Sequence, residues 1–368
     1  MGLYVGMDVH SKYCVFVVEN DKGEIVNEGK VPTSFEGLRQ LQEKYKIPEE
    51  TGVAIETGTT AFFVARILSR LGYRPLVVDA SEVRLKAFRP NQKSDRRDAI
   101  ELCEGLRSGM YRSIVHIPSI EIQELRDALS RRRHFVRLTT REVNAAKHLL
   151  RSEGLSDLVK SLSTDKAWEE LLSKLSFAPF LQQLVEFHYK VWCSAYEQVK
   201  LIEKELVRLQ QPFAEEISRL RVIPGIGPIV AATVVAVLSD VERFPTAKHV
   251  SSYIGLVPST YQSGDKEYQG KITKKGSKEL RSVLCEAAHF ASRPNHPLNP
   301  FFLKICTRRG YRKAIVAVAH RLLRIMYAML RDGTEFDPGK LGLEEGPFEV
   351  TTTRWYRLKD KDRKSSVA

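Results

Sequence analysis

The sequence predicts an α/β domain at the N-terminus, a long helical middle and a mostly α-helical C-terminal region. Three observations carry this. Up to residue 110, short alternating or fully apolar runs interleave with stretches of helical period. From Ser119 onward apolar residues recur every three or four positions. Glycine and proline then punctuate the last third, around residues 223–227 and 253–275.

Leu3 to Val9 alternates, with apolar residues at 3, 5, 7 and 9. Tyr13 to Val18 follows the turn His10-Ser11-Lys12, and Ile25 to Val31 follows Asp21-Lys22-Gly23, which makes a three-strand meander. Ser34 caps a helix through Tyr45, Val53 to Glu56 is a short buried strand, and Thr60 to Leu71 is a helix stopped by Gly72. Pro75 to Asp79 is a further strand, followed by a helix near Ser81 to Phe88. Three antiparallel strands, then two interleaved with helices, is the order of a ribonuclease H-like fold. After Ser119 come an Arg-rich helix and, beyond a loose stretch at 154–164, a second long helix. On that second helix Phe187, Val191, Ala195, Gln198, Ile202, Leu206 and Leu209 hint at a coiled coil. Leu220 to Leu238 reads as helix, glycine turn, helix; Tyr253 to Lys275 as turns with short extended pieces; Ser277 to Ser292, Phe301 to Arg309 and Lys313 to Arg331 as helices. The expected partition is therefore 1–110, 111–211, 212–345 and a basic tail at 346–368.

The chain's 368 residues are 43% hydrophobic and 28% charged, an ordinary globular balance. No apolar run approaches a bilayer span, and the N-terminus lacks a basic-then-apolar signal pattern, so the expectation is a cytoplasmic protein without a membrane partner. Five scattered cysteines with no CxxC read as reduced thiols. The net charge of +13 points to a polyanionic partner. It is unevenly placed: residues 1–110 are neutral, with 16 basic and 16 acidic side chains, while residues 297–368 alone carry +7. A carboxylate-rich catalytic domain joined to nucleic-acid-gripping segments has this distribution.

In QKSDRRDAIEL (92–102), Asp95 and Asp98 stand three apart, so a helix projects both from one face. Asp8 lies near the end of the first strand and Glu56 where VAIE leaves its strand. Four carboxylates from two strands and one helix suit Mg²⁺ or Mn²⁺, and two such ions would stabilise an in-line displacement at phosphorus. Each acid taken singly is as readily a solvated surface group. The histidines show no HxH or HExxH pairing, and none is assigned to metal. Candidate nucleic-acid contacts are Lys93 beside the acid pair, Arg131, Arg132, Arg133, Arg137, Arg141 and Lys147 on the Arg-rich helix, and Gly225 and Gly227 in IPGIG. The last resembles a helix-hairpin-helix whose backbone approaches phosphate. Lys266, Lys271, Lys274 and Lys275 surround Ser263, a serine before glycine that could be a nucleophile towards phosphorus or a plain turn residue.

With GMDVHSK (6–12), IETG (55–58), KSDRRDA (93–99), IPGIGPIVAA (223–232), YIGLVPSTYQSGDKEYQGKITKKGSKELR (253–281) and KAIVAVAHRLLRIMYAML (313–330) in this order, the chain resembles the DEDD insertion-sequence transposases, the "IS one-ten" family of bridge-RNA-guided recombinases. The resemblance implies a RuvC-like domain whose tetrad maps to Asp8, Glu56, Asp95 and Asp98, and a C-terminal transposase domain whose serine maps to Ser263. It also implies a divalent metal, donor and target DNA, a structured non-coding guide RNA, and a dimer or tetramer with composite sites. Where relatives read Ser-Ser-Gly-Gly, this chain has Gln262-Ser263-Gly264-Asp265. The alternatives are a RuvC-like, metal-dependent junction endonuclease without a serine step, and a non-catalytic nucleic-acid-binding protein.

Overall fold

The structure, a computed structural model, describes residues 2–86, 94–159, 161–263 and 266–341. The expected basic tail thus lies outside the described residues. The chain divides into two compact units, Met1–Ser119 and Ile120–Ala368.

The first unit is built on β1 (Leu3–Val9), β2 (Tyr13–Asn20), β3 (Ile25–Pro32), β4 (Gly52–Glu56), β5 (Arg74–Val78) and β6 (Ile114–Val115), in the sheet order β3-β2-β1-β4-β5-β6. The first three strands pair antiparallel, β4 and β5 extend the sheet parallel to β1, and β6 closes the edge antiparallel to β5. Two residues carry no periodic signal, which is why β6 is absent from the sequence expectation. The helices are α1 (Phe35–Glu43), α2 (Ala61–Arg70), α3 (Ala80–Lys86) and α4 (Asp95–Arg107). Ser34 caps α1 by accepting a bond from Gly37 N at 3.0 Å.

Strand alternation sorts the two faces of this sheet. Val5, Met7, Val53, Ile55 and Val77 pack with Leu38 and Leu41 of α1 and Val64 and Leu68 of α2. Ala54 and Val78 face the other way and pack with Leu102 of α4 and with Val83. Gly6 is on that second face, and α4 lies directly against it. A Cβ at Gly6 would stand 2.0 Å from Ala99 O and 2.4 Å from Cys103 N. Cys103 Sγ donates to Tyr4 O at 3.0 Å. Climbing β1 from Tyr4 to Gly6 therefore descends α4 from Cys103 to Ala99, and the first turn of α4 arrives at the carboxyl end of β1.

On the same side, buried Glu82 accepts from Arg112 N at 3.1 Å, Ser113 N at 2.6 Å and the Lys86 ammonium, which also reaches Met110 O. These donors hold its carboxyl far below the usual range, at about 2. The clamp fixes the segment leading into β6.

The second unit begins with α5 (Ile120–Ser152), α6 (Asp165–Lys174) and α7 (Pro179–Leu209). α5 and α7 pack along each other. The buried positions of α7 are Leu181, Val185, Trp192, Ala195, Val199 and Leu206. The expected stripe was thus partly on the wrong face, since Phe187 and Val191 are 53% and 45% exposed. α7 carries two apolar stripes a fraction of a turn apart, and only the partner helix selects between them. Trp168 of α6, fully buried, fills the end of this pair with Leu150, Leu175 and Trp192.

Then follow α8 (Ala214–Arg221), α9 (Pro228–Leu238), α10 (Ala247–Ile254), the hairpin β7 (Pro258–Ser263) and β8 (Lys266–Ile272), α11 (Lys278–Ala291), α12 (Asn299–Arg309) and α13 (Tyr311–Asp332). α9 is apolar on nearly every side and is the central helix of this core, as its all-round hydrophobicity demands. Among the described residues no helix is long and apolar enough to cross a membrane.

Gly6→Ala is expected to cost about 2–3 kcal/mol by overpacking at α4, read as a lower urea midpoint; an unchanged midpoint would contradict the α4–β1 contact. For Glu82 the sign follows from its depressed folded pKa: its contribution is complete above the unfolded carboxylate value and fades as pH falls towards about 2. Glu82→Gln should therefore cost roughly 1–3 kcal/mol at pH 7, with the gap to wild type narrowing below about pH 4.5.

Candidate functional site

Asp8 and Glu56 each stand one residue beyond the Met7–Ile55 pair that ends the printed register of β1 with β4. By alternation both belong to the face of Gly6 and Ala54, the face that α4 covers. Thr57 steadies the end of β4: its N–H donates to Val78 O at 2.9 Å and its hydroxyl accepts from Ala80 N at 3.0 Å. Ser94 caps α4 by accepting from Arg97 N, and Asp95 and Asp98 occupy its first turn. The stripe of α4 that meets the sheet runs 95, 98, 99, 102, 103, 106; its inner members are the buried Ala99, Leu102 and Cys103, and its outer turn is acidic.

The geometry brings Asp8, Asp95 and Asp98 together. Asp8, 18% exposed at its side chain, is pushed above the usual carboxylate range by burial first. His10 opposes the shift, while the charges of Asp98 and Asp95 add to it. Arg96 turns away to Glu28 at 2.7 Å, and Arg97 lies 3.7 Å from Glu101.

One member of the cluster escaped the sequence reading. His10 Nε2 sits 3.0 Å from Asp8 Oδ2 and 3.2 Å from Asp95 Oδ2. That nitrogen is buried yet aligned for a hydrogen bond to neither oxygen. Tyr13 completes the wall: its hydroxyl donates to Asp95 Oδ2 at 3.1 Å, its ring is 4.8 Å from that of His10, and Lys30 Nζ lies 3.3 Å over it. The available signal is position alone, His10 being two residues after Asp8 and the first residue of the reversing turn.

In the second unit, Ser263 ends β7 and pairs with Lys266 across the ladder. Gly264 and Asp265 lie outside the described residues, as does Lys93, and the side chains of Ser263 and Lys266 lie outside them too. The base of this hairpin is tightly held. Arg281 Nη1 donates to Ile254 O at 2.8 Å and Lys275 O at 2.6 Å. Gly276, at φ +70°, leaves room for Tyr253 O, which a Cβ would meet at 1.9 Å. Lys271, Lys274 and Lys275 are exposed there.

In IPGIG, Gly225 adopts φ +81° and leaves space for the Phe290 ring, 2.2 Å from where its Cβ would be; around Gly227 the space is open. His296 braces the turn through Nε2, 3.0 Å from Pro224 O, while its Nδ1 accepts from Leu298 N. On α5, Arg131, Arg137 and Arg141 are exposed, Arg133 and Lys147 partly so, and Arg132 pairs with Glu203 at 2.6 Å.

A sheet of this order, with acids at the ends of its two central parallel strands and on the helix across them, is compatible with the ribonuclease H-like class of nucleic-acid-processing domains. The comparisons narrow the class. Residues 5–153 match the DEDD transposases of the IS110 type, and residues 217–302 match the family described as "Transposase IS116/IS110/IS902 family". Over 297 residues the chain is 27% identical to a "Probable family 20 transposase" of Pseudomonas aeruginosa, covering 78% of this chain and 86% of that protein. It is 29% identical over 292 residues to the "Transposase for insertion sequence element IS1328" of Yersinia enterocolitica, covering 77% and 85%. It is 31% identical over 196 residues to the "Pilin gene-inverting protein" of Moraxella lacunata, covering 52% and 53%. The chain belongs to the IS110-type DEDD transposases, enzymes that process DNA.

That family implies a divalent metal, and the residues present fit one. One ligand atom each from Asp8, His10 and Asp95 lie within 4.8 Å of one another. His10 Nε2 is a buried nitrogen that faces both carboxylates, so the three side chains converge as a donor set that a divalent ion fits. Two carboxylates and one imidazole accept Mn²⁺ as readily as the harder Mg²⁺.

Since converging carboxylates oppose one another without an ion, Asp8→Asn is expected to raise the melting temperature in EDTA by about 2–4 °C. The wild type alone should then gain stability on adding MnCl₂. A variant no more stable than wild type in EDTA would argue against electrostatic strain at this cluster.

Proposed function

We propose that this transposase excises and inserts its own element by RNA-guided strand exchange, with the acid cluster binding metal and Ser263 supplying the nucleophile. The observation that carries the reading is the meeting of Asp8, His10, Asp95 and Asp98 where β1 ends and α4 begins. The proposed site set is Asp8, Glu56, Asp95 and Asp98 for metal. Lys271, Lys274 and Lys275, with the Arg-rich face of α5 and the open backbone at Gly227, would hold nucleic acid. A bound Mg²⁺ or Mn²⁺ would neutralise charge developing on the phosphate.

The chain's own groups do the rest. Asp8 and Asp95 are held by the α4–β1 contact, with the Tyr13 hydroxyl fixing the orientation of Asp95. Ser263 Oγ forms a bond to the scissile phosphorus as a strand P–O bond breaks; the serine proton leaves and the departing strand oxygen ends as a hydroxyl. Reversal of that step on another strand end rejoins DNA without an external energy source. The Gln262-Ser263-Gly264-Asp265 sequence keeps the serine before its glycine. A guide RNA would choose donor and target by base pairing, and composite sites would require at least a dimer.

The test incubates the full chain with element-end DNA, its flanking RNA and Mg²⁺, and looks for protein covalently joined to DNA on a denaturing gel. The adduct should vanish in Ser263→Ala, and cleavage should fall by at least about a thousandfold in Asp8→Asn, the scale of losing a principal electrostatic group. Cleavage by Ser263→Ala at the wild-type rate would replace the serine step with attack by water. Omitting RNA should abolish site choice; unchanged choice would remove the guide from the reading.

A further inference from the structure

The β7–β8 hairpin presents two tyrosines that belong to no core. Tyr261 and Tyr268 are directly paired across the ladder, with ring centroids 6.3 Å apart and planes inclined by 34°. They are 64% and 67% exposed. Gly270 makes space for this arrangement. A Cβ there would stand 3.4 Å from Tyr261 Cε2 and 2.5 Å from the hydroxyl of Ser259, which itself donates to Lys271 O at 3.1 Å. The ring of Tyr261 thus lies along the β8 backbone while remaining open to solvent.

A cross-strand aromatic pair stabilises a hairpin, but that role alone does not account for the exposed lysines that follow in the same segment. Here Lys271 is on β8, and Lys274 and Lys275 follow it, all exposed. An apolar protein surface would have to desolvate these ammonium groups. A nucleic-acid strand meets both features, since its phosphates take the lysines and its bases present flat faces to the rings. Paired bases keep those faces inside the duplex stack; unpaired bases offer them. The pair also stands two residues from Ser263, about 7 Å along an extended strand.

We propose that Tyr261 and Tyr268 form a stacking platform for unpaired bases of a single strand, placing the strand beside Ser263. They are positioning residues, and their role rests on the reading of this hairpin as the carrier of the nucleophile. Stacking is indifferent to base identity, so the platform contributes strand separation and register, leaving sequence choice to other parts of the complex.

The test measures binding by the full chain in EDTA, where no metal-dependent cleavage intervenes. The probes are a fluorescein-labelled oligothymidylate and a fully paired hairpin duplex of equal nucleotide number. The double variant Tyr261→Leu/Tyr268→Leu should bind the single strand roughly tenfold or more weakly, with duplex affinity held within about twofold. Tyr261→Phe/Tyr268→Phe should bind both probes like the wild type. Unchanged single-strand binding in the leucine variant overturns the proposal. So does an equal loss for both probes, or a loss accompanied by a changed sedimentation coefficient, which would make the pair a subunit contact. Ser263→Ala is assayed for DNA cleavage in parallel. If that variant still cleaves DNA in Mg²⁺, the serine reading fails while the stacking result is judged on its own affinities.

Discussion

Everything at the acid cluster depends on how closely α4 lies on β1. Gly6 allows it: any side chain there would collide with the backbone of Ala99 and Cys103. Once the helix is seated on bare strand, its stripe is fixed in register, and the first turn has to come level with Asp8. The acids are therefore placed by main chain packed on main chain, which has few soft degrees of freedom. The electrostatic cost of that placement is visible in Asp8, whose carboxyl is raised by burial and by the two aspartates opposite. Part of it is offset locally, because Asp95 and Asp98 lie at the positive end of the α4 dipole.

The legible part of this design is the part written in periods. Strands β1 to β5 announce themselves by alternation or by short apolar runs, Asp8 and Glu56 stand out at the ends of two of them, and Asp95 and Asp98 by their spacing of three. The role of His10 has no such signature. It depends on the backbone reversing after β1, where His10 N–H donates to Tyr13 O at 2.9 Å, and on the Tyr13 ring supporting the imidazole. A pairing rule for metal-binding histidines looks for a second histidine, and here the partners are carboxylates from β1 and α4. The buried face of α7 was equally hidden. Its seam carries His188 against Glu142 at 2.8 Å, so a polar residue occupies a place where an apolar one would have revealed the register.

The glycine turn shows a motif whose signal divides on inspection. Gly225 is required by its positive φ and by the Phe290 ring, and His296 anchors the turn from the other side. Packing alone accounts for that glycine. Gly227 has an ordinary backbone conformation and open space around it, so packing does not account for it. A motif read as one unit in sequence thus contains a structural half and a half available for contact with a phosphate, and only coordinates separate them.

The contrast between the two chemical elements follows the work proposed for each. Metal ligands must hold their separation through the reaction, and the acids proposed for that work are mounted on a sheet and a helix in direct backbone contact. A nucleophile that becomes joined to a DNA strand has the opposite requirement, since it must carry that strand from the place of cleavage to the place of rejoining. Ser263 ends a strand of an isolated two-stranded ladder, a structure marginal by itself. Its base is anchored by Arg281 and by glycines that admit neighbouring backbone. A platform of exposed rings on the same ladder would hold the joined strand beside the serine.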